Sequence, residues 1–430
     1  MRFNNNLKKF VLLNTILLIL LLGTGTALAA SVTNIGDLDL NSGRDLSGKG
    51  YYWDASEQTL TLENVKLEGM IILPDDGDVT VCLKGENVLT VPETHRSTAA
   101  IYTDSRQHGQ ITFESDGTGS LIVNGEVNLG WTDTLTIMDC ILSVSTANYQ
   151  PNQSGQYSMS AGTLNTVIKN ARLYFTDGMN LGGNHMIDNS FIEIRNANSK
   201  LADVDVNGSL TLKNGSELQI SFDDIKHAST SLQVDGDFFA DQSSVVEILN
   251  PDGTYAMHVD GRIELLSHRL LLTAAKSIIY THEEAGVPAS IILPAKLSFS
   301  GSDVSQIDYA SEEYEAKLDR IKSGVEATTI KLQSARTARG NIKLTWRKSP
   351  GYRVDYYEVF RSTKRYSGYT KKPFYTTTFD KKTTYTNTGS LQKGTRYYYK
   401  VRGVRTIDGE KYYTQWSNKA IRSYVNISAV

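Results

Sequence analysis

Between residues 50 and 300, apolar and polar side chains alternate in short runs, each cut by Asn, Asp or Gly. Leu210-Thr211-Leu212 leads into the polar corner Lys213-Asn214-Gly215-Ser216, and alternation resumes at Leu218-Gln219-Ile220. The same cadence runs through Leu135-Thr136-Ile137, Leu142-Ser143-Val144, Phe191-Ile192-Glu193-Ile194 and Ile263-Glu264-Leu265. A period of two turns one row of side chains inward and the next outward, so these runs predict short strands. No long helical period interrupts them, which argues against alternating β/α layers.

One phrase recurs four times: an apolar residue, one residue, then Val, Asn or Asp, Gly, any residue and a second apolar residue. It reads Val123-Asn124-Gly125-Glu126-Val127, Val206-Asn207-Gly208-Ser209-Leu210, Val234-Asp235-Gly236-Asp237-Phe238 and Val259-Asp260-Gly261-Arg262-Ile263, preceded by Leu121, Val204, Leu232 and Met257. The last three copies start 28 and 25 residues apart. A fixed phrase at such a period is the signature of stacked repeats, none of which buries its apolar face alone. The expected fold is all-β: a right-handed parallel β-helix over residues 30–300, a linker with a short helix at 301–328, and a β-sandwich at 329–425.

The first 29 residues have the form of a secretory signal peptide. Arg2, Lys8 and Lys9 precede the apolar stretch Val11 to Leu22, and Ala27-Leu28-Ala29 offers a small-x-small cleavage site. The alternative is an uncleaved anchor, for which the apolar run is short. No later stretch is long enough to span a bilayer, and the expected location is extracellular, secreted or cell-surface associated. Cys82 and Cys140 are too few for a disulfide scaffold. A bond between them would need adjacent placement on stacked strands.

A formal net charge of −3 conceals two opposite halves. Of the 44 Lys and Arg, 22 lie in residues 325–430 and three in 1–29, leaving 19 for residues 30–324. Six of the 47 Asp and Glu lie in 325–430, which leaves 41 for residues 30–324. Charge asymmetry speaks of partners rather than fold. A basic exported module suits an anionic polymer, and nucleic acid is excluded as a partner by the expected export. The alternatives are that the charges solubilise the module or pair with the acidic half. Between the halves, Ser311 to Ser323 predicts a helix capped by Ser311, supported by Glu313 and Lys317 and ended by Gly324. Its stripe would be Tyr314, Leu318 and Ile321, and it is expected to close the open end of the stack.

Residues 329–425 alternate in longer strands: Ile342-Lys343-Leu344-Thr345-Trp346, Tyr356 to Arg361 and Thr395 to Val401, the last followed by a hairpin at Asp408-Gly409. Trp346, the phrase from Tyr357 to Ser362, the run Leu391…Gly394-Thr395-x-Tyr397-x-Tyr399-x-Val401 and the closing Trp416-Ser417 resemble the fibronectin type III family. The resemblance covers Thr329 to Tyr424. It implies a β-sandwich in which Tyr397 ties its hydroxyl back to the backbone. It also implies a spacer, or a weak binder of walls and glycans, in secreted bacterial proteins. The family's integrin-binding Arg-Gly-Asp is absent. The entry segment Gly50-Tyr51-Tyr52-Trp53-Asp54, with Thr59 to Leu62 and Val81 to Asn87, resembles the start of secreted bacterial β-helix proteins, some of them carbohydrate-binding.

These readings nominate Tyr51, Tyr52 and Trp53 on the first half and Arg396, Tyr398, Lys400 and Arg402 on the second as glycan-binding residues. Their bland alternatives are a cap on the first turn of the stack and strands filled with Tyr on both faces. Thirteen of the 23 Tyr lie in residues 325–430.

Catalytic and metal motifs are thin. Asp203-Val204-Asp205-Val206-Asn207-Gly208 matches the first half of a calcium loop, but the twelfth position is Asn214 rather than a bidentate Glu. Asp203 aligns on the repeat with Ser231 and Ala256, so the extra acid is incidental to it. Asp203, Asp205 and Asn207 are therefore weak metal candidates, and no cofactor is expected. The polygalacturonase pattern is represented only by Asp223-Asp224 and Arg320-Ile321-Lys322, the latter in the linker helix. His282-Glu283-Glu284 lacks the second His of a zinc helix. The favoured expectation is a non-catalytic binding protein contacting cell-wall polymer or polysaccharide. The rivals are a β-helix lyase or glycoside hydrolase with an atypical site, and a structural spacer or adhesin stalk.

Overall fold

The computed structural model describes residues 33–424, apart from 93–98, 104–107, 118, 147–156, 197–203, 223–229, 251, 276, 281–290, 295–304, 338–340, 350–351, 378–382, 388–390, 393, 408–409 and 419–420. The segment expected to be a signal peptide, Asp203, Asp223-Asp224, His282-Glu283-Glu284 and Asp408-Gly409 lie outside these residues. The protein is all-β and mostly parallel, and its described residues divide into two units that meet between Ser311 and Glu312. Among the described residues, no helix is long and apolar enough to cross a membrane.

In the first unit the chain visits three strand ladders in constant order, and each strand pairs in parallel with the strand one circuit later. One circuit runs Phe191–Asn196, Val204–Val206, Leu210–Lys213, and the next runs Glu217–Phe222, Thr230–Val234, Phe238–Ala240. In register, the inward residues form columns. In the first ladder Leu121, Leu142, Leu173, Ile192, Leu218, Val246 and Leu270 are successive partners, all buried. In the third, the column runs Leu60, Val81, Phe113, Ile137, Ile168, Ile187, Leu212, Ala240 and Leu265. A one-residue slip would turn a whole column to solvent, so alternation sets the register. The second and third ladders are joined where Glu126–Met138 and Met159–Lys169 pass from one to the other unbroken.

The three later copies of the repeated phrase stack in register, Val206 on Val234 on Val259. The first copy does not join them. Val123 lies in the first ladder between Leu89 and Val144, so the same phrase turns a different corner there. In these three later copies the Gly answers to proximity rather than to an unusual φ, whereas Gly125 of the first copy takes a φ of +146°. A Cβ on Gly208 would stand 2.2 Å from the Gly183 carbonyl oxygen, and one on Gly236 would stand 2.8 Å from the Gly208 carbonyl carbon.

A different corner, between the third and first ladders, uses left-handed residues. Asn64, Asp139, Asn170, Asn189 and Asn214 all have φ between 46° and 56°. Asn is among the few non-Gly residues that tolerate this region. Asn189 Nδ2 donates to Asn170 Oδ1 at 2.8 Å, and Asn170 Nδ2 donates to Asp139 Oδ1 at 3.2 Å, so the corner side chains brace each other.

The parallel ladders end in antiparallel strands. Tyr51–Asp54 folds back on Thr59–Glu63, setting Trp53 beside Leu60 at the head of the third-ladder column. At the other end Gln306–Ala310 pairs antiparallel with Arg269–Ala274 and covers the last edge of the first ladder. Covering an edge removes unpaired backbone groups that would recruit another chain. Cys82 is half-buried and Cys140 buried, and they form no disulfide.

The helix is longer than its sequence reading, Glu312–Ala327, and is grouped with the C-terminal unit rather than standing as a linker. Gly324 lies inside it because the Tyr352 ring occupies the space where a side chain would stand. Glu312, Glu313 and Glu315 face the positive end of the helix dipole. Tyr314, Leu318 and Val325 form the buried stripe, with Ile321 half-buried. Lys322 lies over the Tyr412 ring at 5.3 Å, placing the helix against Glu410–Tyr413. The rest of this unit is two antiparallel sheets. Ile330–Arg336, Ile342–Lys348 and Thr384–Asn387 form one, and Tyr356–Ser362, Tyr375–Thr376, Arg396–Ile407, Glu410–Tyr413 and Ile421–Tyr424 form the other. One core draws on both: Ile330, Leu332, Leu344 and Trp346 from the first, Tyr357, Val359, Tyr397, Tyr399 and Val401 from the second.

Candidate polymer-binding face

Alternation in the strands Tyr356–Ser362 and Arg396–Ile407 separates two sets of residues. Tyr357, Val359, Tyr397, Tyr399 and Val401 fill the core. Their neighbours Glu358, Phe360, Tyr398, Lys400 and Arg402 turn to the outer side. Pairing sets Glu358 beside Arg402, Phe360 beside Lys400 and Ser362 beside Tyr398.

On this outer side cations and rings alternate. Lys400 Nζ lies 3.6 Å from the centroid of Trp416 and 4.6 Å from that of Tyr369. The Arg402 guanidinium lies 3.7 Å from the Tyr413 centroid and 4.8 Å from that of Trp416. Phe360 meets Trp416 edge-on at 5.1 Å. The strip thus reads Tyr413, Arg402, Trp416, Lys400, Tyr369. Each such contact at an exposed site contributes about 0.5–1 kcal/mol. Glu358 accepts from Arg402 Nε at 2.8 Å and its Oε2 lies 2.7 Å from Arg402 Nη2, so that guanidinium is held in one plane and its charge is matched. Burial, then the positive charge of Arg402, lowers the Lys400 pKa. Burial, then the negative charge of Glu358, raises that of the Tyr356 phenol. Trp416 remains 40% exposed, which leaves ring surface open to a ligand beside two cations.

The structure places the expected residues unevenly. Lys400 and Arg402 belong to the strip, half-buried, and Arg396 is exposed on the same strand. Tyr398 is only 8% exposed and offers a polymer almost no surface. On the first unit, Tyr51, Tyr52 and Trp53 do not form a common platform, because consecutive strand residues point to opposite faces. Trp53 is buried at 1% exposure, the Tyr51 ring lies over Gly48, and Tyr52 alone projects, its hydroxyl 3.4 Å from Asp45 Oδ2. Trp53 is thereby removed from the ligand-contacting set. Trp416, Tyr413 and Tyr369 were not nominated from the sequence. The sequence signal for Tyr413 is the hairpin register, which pairs it with Val404, two residues from Arg402.

Of the weak metal candidates, Asn207 is exposed and Asp205 half-buried. Among the described residues, no group of three or more His, Cys, Asp or Glu could hold a metal ion. Asp205 Oδ1 is buried with no hydrogen-bond partner. Burial and then the charge of Asp235 raise its pKa.

Comparison with family models, with curated proteins and with solved structures finds no match for this chain.

Proposed function

We propose that this is a secreted, surface-associated, non-catalytic binding protein: a parallel β-helix stalk carrying a fibronectin type III-like module whose outer sheet grips an anionic wall polymer or polysaccharide. The three ladders visited in constant order support the β-helix. The shared core of two antiparallel sheets supports the module, as does the Tyr397 hydroxyl, which accepts from the Gln392 backbone N–H at 2.8 Å. The observation that carries the binding function is the strip from Tyr413 to Tyr369. It offers aromatic surface to sugar rings and the Lys400 ammonium to their acidic groups, within a segment holding 22 basic residues against six acidic.

The test is retention of the full chain on purified Gram-positive cell walls and on neutral and acidic plant polysaccharides, at low and high salt. Charge contacts act within a Debye length of about 10 Å at 0.1 M salt, so high salt should release the protein. Lys400→Gln and Trp416→Ala should weaken retention. Retention indifferent to salt and to both substitutions would overturn the proposal.

A second reading, a polysaccharide lyase or hydrolase, is favoured by one observation, the raised carboxyl of Asp205 beside Asp235. A carboxyl whose pKa is raised by burial and by the charge of a second carboxylate is suited to the acid role in general acid–base hydrolysis. New reducing ends or unsaturated products on incubation with polysaccharides, abolished by Asp205→Asn, would establish it.

A further inference from the structure

The two strands that cross unbroken from the second to the third ladder, Glu126–Met138 and Met159–Lys169, carry a feature that the repeat does not explain. Where other circuits turn a corner, these bulge: the register shifts between Asn128 and Trp131, and Gly130 takes a φ of +57°. Two large apolar side chains stand out from the bulge, Trp131 at 61% exposure and Leu164 at 59%. They belong to neighbouring circuits, since Trp131 pairs with Gly162 and Thr132 with Thr163.

The indole has a defined seat. A Cβ on Gly162 would meet Trp131 ring atoms at 2.9–3.2 Å, so one face of the ring lies on bare backbone. Given that contact and the large exposure, the opposite face is open to solvent. On the next circuit Gly182 and Gly183 follow, so no side chain rises from those two positions. A Cβ on Gly183 would stand 2.1 Å from the Leu164 carbonyl oxygen. Beneath the shelf the backbone is tied down. The Thr163 hydroxyl donates to the Gly182 carbonyl at 2.6 Å and lies 3.1 Å from the Thr166 hydroxyl, and the Thr132 hydroxyl donates to the Gly109 carbonyl at 3.3 Å. Asp133 and Asn165 are exposed on the same strands as hydrogen-bonding groups.

We infer that Trp131 and the glycine-floored shelf beside it form a stacking subsite for a neutral hexopyranose chain, separate from the cationic strip of the C-terminal unit. The open face of a fixed indole matches the apolar C–H face of a pyranose, and the rim carboxylate and amide match its hydroxyls. Charge selects the neutral class: residues 30–324 hold 41 acidic against 19 basic residues, so an anionic glycan is repelled here while it is attracted to the basic module. The inference deepens the glycan-binding reading and rests on it.

The test titrates the full chain with cellohexaose, mannohexaose and maltohexaose, following tryptophan fluorescence and heat, with hexagalacturonate as the anionic comparison. At least one neutral hexasaccharide should bind. Trp131→Ala should lower its affinity about tenfold, equivalent to ~1.4 kcal/mol. Trp131→Phe should restore most of it. Gly162→Val, which unseats the ring, should weaken it as well, provided the far-UV circular dichroism is unchanged. Retention on cell walls should not respond to Trp131→Ala. Equal affinity of wild type and Trp131→Ala for every neutral ligand would overturn the subsite while leaving the wall-binding reading intact. Absence of neutral-glycan binding by the wild type would overturn it as well. Loss of wall retention in Lys400→Gln alone tests the other reading independently.

Discussion

His185 makes the stability of the first unit depend on pH in a calculable way. It occupies an inward position of the third ladder, between Thr166 and Leu210, and is 3% exposed. Nε2 lies 3.3 Å from the Leu181 carbonyl oxygen. Burial pushes the imidazole down to about 4, against weaker opposing pulls from the Leu181 and Gly182 carbonyls. The unfolded chain takes its proton near the ordinary value of about 6.5. Between those values the unfolded state binds one more proton than the folded, so stability is full above pH about 6.5 and falls as pH drops through 4. A gap of about 2.5 units at 1.36 kcal/mol each amounts to about 3 kcal/mol. His185→Gln keeps a donor for the Leu181 carbonyl and removes the titration. Urea unfolding of both proteins from pH about 7.5 to about 4, followed by far-UV circular dichroism, gives the comparison. The raised carboxyl of Asp205 acts with the opposite sign, but it is common to both proteins and cancels in the difference. The wild type should lose about 3 kcal/mol more than the variant over that range. Parallel pH profiles would refute the reasoning.

Three further outcomes are expected. Asn189→Ala keeps a Cβ in the left-handed region without the polar group that makes Asn tolerant of it, and removes the bond to Asn170, so it should cost about 2 kcal/mol, whereas Asn189→Gly, which relieves the backbone, should cost under about 1 kcal/mol; equal losses in urea unfolding would contradict the corner argument. Gly236→Ala drives a methyl group against the Gly208 backbone and should cost about 1–3 kcal/mol, read as a lowered urea midpoint, although the site lies in a polar corner. Cys82 and Cys140 should both be alkylated in denaturant without prior reduction, while native Cys82, its thiol pushed up to about 11 by burial and Glu114, should react slowly near neutral pH; a mass showing no alkylation in denaturant would refute the absence of a disulfide between them.

Binding readouts and stability readouts separate cleanly at the shelf. The shelf residue Trp131 is largely exposed, so its removal leaves the apolar columns intact. Surface substitutions away from buried features usually change stability by about 0.5 kcal/mol or less. A lost affinity in Trp131→Ala therefore reports on the surface itself, whereas Trp416 also covers the buried Phe360 ring, so Trp416→Ala is read against its own urea midpoint.

Alternation, the repeated phrase and the Asn and Gly corners were legible in the chain because each is a local rule. A period of two assigns faces wherever a strand forms, and the spacing of 28 and 25 residues set Val206, Val234 and Val259 in register before any contact was known. The charge contrast between the halves was legible for the same reason: composition does not depend on packing. What the tertiary structure decided is which copies of a local pattern share a neighbour. Val123-Asn124-Gly125 reads like the other phrases but turns another corner, since its ladder is set by Leu89 and Val144 of the neighbouring circuits. Gly324 looks like a helix stop and is a packing site for Tyr352. Trp53 and Trp416 are the same residue type in aromatic surroundings, yet one heads a buried column and the other lies on a cationic strip. Sequence spacing carries period and propensity, but the burial of a large side chain depends on which strands close over it, and that is a property of the assembled ladders alone.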